Sequence, residues 1–551
     1  MKYLITAALP YTNNLPHLGN IAGSHLPADI YQKLLKLLGN DVVFIGGTDE
    51  HGSPIEIAAL KEKVSPKELC DKYYVLHKKI YDWLRIDYDN FGRTSNKINH
   101  EMTQYIFKKL YENGYIFESS IILPYCEFDK RFLPDRYVIG TCPYCKYEKA
   151  RGDQCENCGK LLDPKDLIDP KCAICGNSPT FKESKHLFFD LPKLERKLLK
   201  WIQKNKHWKE NVKNFALSWL KEGLKARSIS RDLTWGIKIP LEGYEDKVFY
   251  VWFDAPIGYI SSTIEYFEKI GKKDEWKNYW LKNSKARIVH FLGKDNIPFH
   301  TIFWPAMLMG TKEFNLPYYV FGLEYLNFEG RKISKSQNWG VFLEIEDEKI
   351  KLRILANNQD KKFEVDPDYI RFYLSLILPE NKDSSFSVKE FVEKINKELI
   401  GNFGNFVYRV LSFVEKYYNL EIPKTKADKD ILKVFKDAKK EIKDLVKKFE
   451  IKKVLMKVLE LSYLSNKYFQ ENEPWKNQEK RDEVILTSVN LVKDLAILFW
   501  PYITNSSEKI FKMINYEFIA KGAIKRIGKI ELKDTKINKP EIIFKPLEIN
   551  I

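Results

Sequence analysis

Two rhythms of apolar residues alternate along the chain. Residues 2 to 9 form a mostly apolar run of strand length, and Leu26, Ile30, Leu34 and Leu38 then recur every four residues until Gly39, the spacing of one helix face with a glycine stop. Asp41 to Gly47 reads as a second strand. Strand, helix and buried strand in so short a span make a βαβ unit, which predicts an α/β fold with a doubly wound parallel sheet and a ligand crevice at the carboxyl ends of its strands. Lys247 to Phe253 and Arg287 to Leu292 read as further buried strands that complete the sheet. Between the two halves, residues 115 to 190 lack long helical periodicity and look inserted. From about 385 apolar positions fall at helical spacing, with a Lys/Glu-rich stretch from Lys424 to Lys453 read as a solvated helix face, which predicts an α-helical bundle. The tail after Gly528 reads as strand-like and is expected to pack back on the body. The boundaries are therefore 1–114 and 246–322 for the two halves of the sheet domain, 115–245 for the insertion, 323–384 for a connecting domain, 385–528 for the bundle and 529–551 for the tail.

Length and composition narrow the function. At roughly 150 residues per domain, 551 residues suggest three to four domains. No apolar run approaches the ~18 to 20 residues of a spanning helix, so no membrane role is expected. The charge is +16, from 91 Lys and Arg against 75 Asp and Glu, and 14% of residues are aromatic, a combination suited to stacking bases and neutralising phosphates. Met1 to Leu9 imitates a signal peptide but sits at the short limit and runs into Pro10, so it reads as a buried first strand of a cytoplasmic protein. Of 8 cysteines, all but Cys70 lie between Cys126 and Cys175, three pairs being Cys-x-x-Cys, which points to metal knuckles in a reducing cell.

The loop after the first strand, Pro10 to Asn20, holds His17 and Gly19 where a helix begins. Free backbone N–H groups and the helix dipole favour phosphate there, Gly19 lets a flat base approach the backbone, and His17 can donate to phosphoryl oxygens. A lone loop histidine can equally be structural. Far downstream, Lys332-Ile333-Ser334-Lys335-Ser336 sets two lysines and two serines on a short loop that can clamp a triphosphate and stabilise charge developing during in-line displacement.

His-x-Gly at the first strand–helix junction together with Lys-x-Ser-Lys-Ser after the second half-sheet resembles the class I aminoacyl-tRNA synthetases, with Asn20 in place of the usual second histidine. Ala8-Leu9-Pro10-Tyr11, Gly46 to Gly52, Tyr250 to Tyr259 and Gly293 to His300 are similar to the corresponding blocks of the methionyl-tRNA synthetases, a likeness running from residue 3 to about 500. The resemblance implies a Rossmann-type catalytic domain, a zinc-knuckle insertion and an anticodon-binding bundle. It also implies catalytic roles for His17, Asn20, Lys332 and Lys335, and an ATP site of His17, Gly19, Asn20, Gly293, Asp295 and Lys335, with Asp295 at the ribose. Asp49 would hold the methionine ammonium, Leu9, Trp252, Pro256 and Tyr259 would enclose the side chain beside Ala8 and Ala255, and Tyr11 and His300 would approach the polarizable sulfur. Arg231 is similar to a family arginine near the reacting groups. Asn405, Arg409 and Trp475 resemble the anticodon-reading set, an indole that stacks a base beside two polar side chains that bond its edge. From the residues alone Trp252 and Tyr259 could be ordinary core, and Asn405 and Arg409 an ordinary helix face.

Cys142-x-x-Cys145 and Cys155-x-x-Cys158 supply four thiolates at the spacing of a closed structural zinc site. Cys172-x-x-Cys175 is complemented by Cys126 with Asp129, where related archaeal-type sequences resemble a fourth Cys-x-x-Cys; aspartate is a poorer zinc ligand beside thiolates. Cys70 reads as core. The expected reaction is activation of L-methionine with ATP and Mg²⁺, followed by transfer to the terminal adenosine of tRNA(Met). The competing readings are a class I synthetase for leucine, isoleucine, valine or cysteine, and a non-catalytic zinc-knuckle RNA-binding protein. With no room before Ile551 for a dimerising module, a monomer is expected.

Overall fold

The computed structural model describes residues 1–549 except 153, 154, 156, 159, 161, 335, 336 and 357. Five parallel strands form the central sheet: β1 (Lys2–Ala7), β2 (Asp41–Thr48), β3 (Asn90–Arg93), β4 (Arg287–Gly293) and β5 (Tyr319–Leu323). Their order is β5-β4-β1-β2-β3. Chain connections leave β1 toward β2 on one side and β4 toward β5 on the other, so the loops after the adjacent strands β1 and β4 diverge. That divergence is a topological switch point, where doubly wound sheets open a crevice. The strands read as continuous apolar runs because helices cover both faces; Leu4, Ile5, Val289, Phe291, Val320 and Phe321 are fully buried.

The first crossover is helical from Leu18 to Leu37, with a π-helical stretch at Ile21–His25, and it ends at Gly39 with φ of 86°. The expected βαβ unit is therefore present. The expected strand at Lys247–Phe253 is not. Only Val248–Phe249 forms a strand, paired antiparallel with Ser230–Arg231, and Val251–Asp254 turns helical. Short apolar runs do not distinguish strand from buried helix. Here Phe253, Ile257 and Ile260 are buried from a helical path rather than from the sheet.

The insertion is a long hairpin, Ile116–Cys126 against Thr180–Phe189, that carries the cysteine knuckles at its far end, followed by helices Glu195–Lys204 and Glu210–Lys221. After β5 come an antiparallel sheet (Gly340–Glu346, Lys349–Ala356, Gln359–Phe363) and helix Pro367–Leu376. The bundle follows, with helices Asn405–Tyr418, Lys429–Lys447, Ile451–Glu471, Arg481–Phe499 and Thr504–Met513. Helix Lys429–Lys447 buries Ile431, Phe435, Ala438, Ile442 and Val446 and turns its lysines outward, as its pattern predicts. The tail packs on the body through Leu532, Ile537, Phe544 and Leu547, yet no strand forms among its described residues. Side chains satisfy part of its backbone instead: Asn490 Oδ1 accepts from the N–H groups of Glu531 and Leu532 at 3.0 and 3.1 Å.

Helix Leu26–Leu37, helix Pro367–Leu376 and the bundle meet at a buried charge cluster. The Asp29 carboxylate accepts from Lys33 Nζ and Arg371 Nη2, each at 2.8 Å, and from the Asp87 backbone N–H at 3.0 Å. Arg371 also donates to the Leu84 and Pro501 carbonyls, and Lys33 to Thr504. Burial pushes the Asp29 carboxyl up, but the two cations outweigh it and hold it below its ordinary value.

Candidate active site

His17 caps the helix that follows β1. Its Nδ1 accepts from the Asn20 backbone N–H at 3.3 Å, and Asn20 Oδ1 accepts from the His17 backbone N–H at 3.1 Å. With Nδ1 an acceptor, the proton of the neutral ring sits on Nε2, and burial lowers the pKa to about 4, so the ring is a neutral donor near pH 7. The asparagine at position 20 thus completes a capping box that a histidine would form less well. Gly19 has a reason beyond the approach of a base: a Cβ there would lie 2.8 Å from His17 Cε1 and drive the imidazole from its place.

Where the loops after β1 and β4 diverge lies a cavity of about 350 Å³. Ala8, Leu9, Tyr11, Asp49, Trp252, Ala255, Pro256, Tyr259 and His300 all line it, so the side chains expected around an amino acid converge from four separate stretches of chain. Asp49 is 4% exposed and its Oδ1 has no hydrogen-bond partner, while burial and, secondly, the nearby Asp254 push its carboxyl well above the usual range. Asp49 lines the cavity, and a buried carboxylate oxygen without a hydrogen-bond partner at such a place fits an ammonium. Trp252 Nε1 donates to the Tyr11 hydroxyl at 2.9 Å, and its ring lies 4.2 Å from that of Phe299, so the wall is rigid and aromatic.

His300 is fixed at both nitrogens. Asn296 O can only accept, at 2.9 Å from Nδ1, so Nδ1 carries the proton and Nε2 accepts from the Tyr259 hydroxyl, also at 2.9 Å. Burial lowers its pKa to about 4. His300 therefore has no free N–H donor, and its polarizable face or edge is what it can offer a sulfur. Sequence reasoning missed Phe299, Asn296 and His77. The first two sit inside the Gly293 to His300 block; His77, whose Nε2 donates to Asn14 O at 2.7 Å, left no local signal.

A second cavity of about 270 Å³ shares Ala8, Leu9, His17, Asn20 and Asn296 with the first and adds Gly19, Gly293, Asp295 and Lys332. Here the residues expected at ATP come together. Asp295 accepts from the Tyr325 hydroxyl, and Lys332 Nζ lies 5.7 Å from the Tyr325 ring centre. The histidine loop is tied by an antiparallel bridge between His17 and Phe342 to strand Gly340–Glu346, which follows the lysine loop, and within that loop Ser334 pairs with Trp339. Lys335 lies outside the described residues. Arg231 stands on the other side of Trp252, its guanidinium 3.8 Å from the Tyr250 ring and bonded to Ser230 O at 2.9 Å.

Similarity to known proteins agrees with this geometry. The profile for class I tRNA synthetases (M) matches residues 3–411, and that for the anticodon binding domain of methionyl tRNA ligase matches residues 423–548. The chain belongs to the methionyl-tRNA synthetase family. It is 45% identical to the methionine–tRNA ligase of Pyrococcus furiosus over 99% of this chain and 75% of that protein, and 42% identical to that of Methanopyrus kandleri over 98% and 80%. Mycobacterium tuberculosis methionyl-tRNA synthetase in complex with methionyl-adenylate shares the fold, with a TM-score of 0.77 at 23% identity, covering 98% of this chain and 99% of that one.

Two clusters of side chains that could hold a metal ion sit in the insertion of this methionyl-tRNA synthetase family member. The ligand atoms of Cys142, Cys145, Cys155 and Cys158 lie within 4.8 Å of one another, with Sγ separations of 3.5 Å (Cys145 to Cys155) and 3.9 Å (Cys142 to Cys158). A tetrahedral ion with metal–sulfur bonds of ~2.3 Å needs edges of ~3.8 Å, so the cluster fits zinc. Cys126, Asp129, Cys172 and Cys175 form the second: Asp129 Oδ2 is 3.0 Å from Cys172 Sγ and 3.2 Å from Cys126 Sγ, and Cys126 and Cys175 are 3.5 Å apart. Aspartate occupies a ligand corner there. Cys70 is buried core, accepting from Thr12 Oγ1 at 3.1 Å.

In the synthetase's bundle, the Arg409 guanidinium lies 5.6 Å from the Trp475 ring and bonds Gln470 Oε1 at 2.8 Å. Asn405 is exposed one turn earlier on the same helix. Arg409 and Trp475, which their sequence positions leave far apart, thus share one surface.

Proposed function

We propose that this chain activates L-methionine with ATP to methionyl adenylate and then transfers the acyl group to the 3′-terminal adenosine of tRNA(Met), the activity of a methionine–tRNA ligase. The observation that carries the substrate assignment is Asp49: a buried carboxylate with one unpartnered oxygen, among the residues that line an aromatic cavity adjoining the histidine loop. The amino acid lies with its ammonium on Asp49 and its unbranched side chain among Leu9, Trp252, Pro256 and Tyr259. Its carboxylate then points toward the second cavity and attacks the α-phosphorus of ATP, forming a carboxyl–phosphate bond as pyrophosphate leaves.

No side chain serves as nucleophile. His17 Nε2–H donates to a phosphoryl oxygen, and Lys332 and Lys335 neutralise the departing charge, so the protein contributes positioning and electrostatics. Magnesium brought with ATP would share that charge with His17, Lys332 and Lys335. Gly293 and Asp295 bind the adenosine end, and Arg231 meets the adenylate or the tRNA end. Cys142, Cys145, Cys155 and Cys158 would hold a zinc ion that keeps the insertion in shape, and Cys126, Asp129, Cys172 and Cys175 would hold a second one more weakly, both apart from the chemistry. Asn405, Arg409 and Trp475 read the anticodon. Among the described residues no helix is long and apolar enough to cross a membrane. The protein works as a cytoplasmic monomer.

ATP–pyrophosphate exchange measured across amino acids tests this reading. Exchange should depend on methionine. Exchange driven by leucine, isoleucine, valine or cysteine would replace the substrate, and none with any amino acid would favour a non-catalytic RNA-binding role.

A further inference from the structure

The loop after β2 carries Asp49, and much of what fixes that loop lies outside the two cavities. The Asp49 backbone is tied to the loop after β1: its N–H donates to Pro10 O at 2.8 Å and its carbonyl accepts from the Thr12 N–H at 3.2 Å. Glu50, fully buried, anchors the next position. Its carboxylate accepts from Arg93 Nε and Thr48 Oγ1, each at 2.8 Å, and from the Ser95 hydroxyl, and its backbone N–H donates to Thr94 Oγ1 at 2.9 Å. The Glu50 carbonyl accepts from Trp235 Nε1 at 2.5 Å. Trp235 follows Arg231 on the segment by which the insertion returns to the sheet domain.

One carboxylate holds that segment. Glu56, on helix Ser53–Glu62 and 4% exposed, accepts with Oε1 from the Trp235 N–H at 2.8 Å and from the Thr234 N–H and hydroxyl, each at 3.1 Å. Its Oε2 accepts from the Tyr137 hydroxyl at 2.6 Å and from Arg131 Nη2 at 3.5 Å. Arg131 follows Asp129 closely in the chain, and the Tyr137 carbonyl accepts from the Ala173 N–H, next to Cys172, at 2.8 Å. Glu56 therefore joins the knuckle end of the insertion, its returning segment and the helix that follows Asp49. Burying a carboxylate is costly unless donors surround it, and here they come from separate stretches of chain, so its removal would release them together. Neither Glu56 nor Trp235 is among the described residues that line the amino-acid or the nucleotide cavity.

We propose that Glu56 is a positioning residue for methionine binding: by docking the Thr234–Trp235 segment on the helix after Asp49, it keeps the Trp235 indole on the Glu50 carbonyl and so sets the peptide from which Asp49 meets the substrate ammonium. The proposal rests on the reading that Asp49 holds that ammonium. A charge-assisted hydrogen bond is short and directional, so a small displacement of the Asp49 peptide weakens it, and the groups that hold that peptide share in the binding. Because the ammonium is held alike before and during the reaction, the effect falls on the affinity for methionine and leaves the turnover rate and the affinity for ATP in place. The same carboxylate gives the insertion its route to the amino-acid site, through Tyr137 and Arg131.

The test measures pyrophosphate exchange by the full chain, with a KM for each substrate, in wild type, Trp235→Phe, Glu56→Ala, Glu56→Gln and the variant that combines Glu56→Ala with Trp235→Phe. Trp235→Phe keeps the ring and loses the indole N–H, so it should raise the methionine KM about fivefold, the factor of one lost hydrogen bond. Glu56→Ala should raise it about tenfold, with kcat and the ATP KM within about twofold of wild type in both. Equilibrium dialysis of methionine without ATP should show the same weakening. Glu56→Gln, whose Oε1 can still accept from Thr234 and Trp235, should bring the methionine KM back to within about threefold of wild type, a rescue that turns on the acceptor alone. The combined variant should be at most about twofold worse than Glu56→Ala, because both changes act through one contact, whereas independent damage would multiply. An unchanged methionine KM, equal rises in both KM values, a Gln variant as impaired as the Ala variant, or multiplied losses would overturn the proposal. Absence of methionine-dependent exchange in wild type would instead overturn the reading beneath it.

Discussion

Asp49, proposed to hold the methionine ammonium, would bind substrate and set a pH dependence together. Burial holds its carboxyl well above the ordinary carboxylate value, with Asp254 adding repulsion, whereas a methionine ammonium requires the ionised form. Affinity for methionine should therefore rise as pH increases through that raised value and fall below it. Asp49→Asn should remove this slope and cost about 2 kcal/mol or more, a rise of about thirtyfold in the methionine KM, with the KM for ATP little changed. Steady-state kinetics across pH decide it, and an unaltered methionine KM would return Asp49 to a structural role. Such residues were legible because short blocks carried them. What the blocks could not carry was state: which nitrogen of His17 or His300 holds its proton depends on Asn20, Asn296 and Tyr259, and Gly19 is required by the imidazole two residues before it.

At the scale of elements, the knuckles show spacing and structure in accord. Two Cys-x-x-Cys turns close on four sulfurs because each turn is fixed locally, and the intervening chain need only be long enough to bring them together. Cys142→Ser should lower the zinc content of the purified protein and depress aminoacylation through a displaced insertion, since structural metal contributes directly to folding. Metal analysis beside aminoacylation checks this; full activity in zinc-free protein would sink it. The Trp475 surface makes a separate demand. Trp475→Ala should forfeit roughly 1 to 3 kcal/mol of tRNA binding and most of the preference for a CAU anticodon, while methionine-dependent exchange stays near normal. Undiminished discrimination would show that the anticodon is read elsewhere.

Across the whole molecule, the Asp29–Lys33–Arg371 cluster joins the sheet domain to the bundle in a dry interior, where removing one partner leaves an uncompensated charge. Arg371→Ala should cost about 3 to 5 kcal/mol, read as a shift of the denaturant midpoint. Asp29 is held below its ordinary value, so its contribution is fully present above the unfolded carboxylate pKa of ~3.9 and is lost as pH falls through the folded one. Acid unfolding of wild type should therefore depend on Asp29, and an equal acid midpoint in Asp29→Asn would refute that.

The sequence by itself determined the βαβ start, the helical bundle, the four-thiolate knuckle and the substrate blocks, because each depends on periodicity or spacing within a few dozen residues. It misread Lys247 to Phe253, whose burial is real but whose backbone is strand only at Val248–Phe249 and helical from Val251, since hydrophobicity reports burial and not the partner that covers it. It also misread the tail, where side-chain acceptors such as Asn490 satisfy part of the backbone in place of a sheet. Only the tertiary structure decided the strand order, the switch point between β1 and β4 and the two cavities that share Asn296, because these join residues hundreds of positions apart. Local pattern cannot encode such contacts; they follow from how twisted strands and packed helices exclude water together.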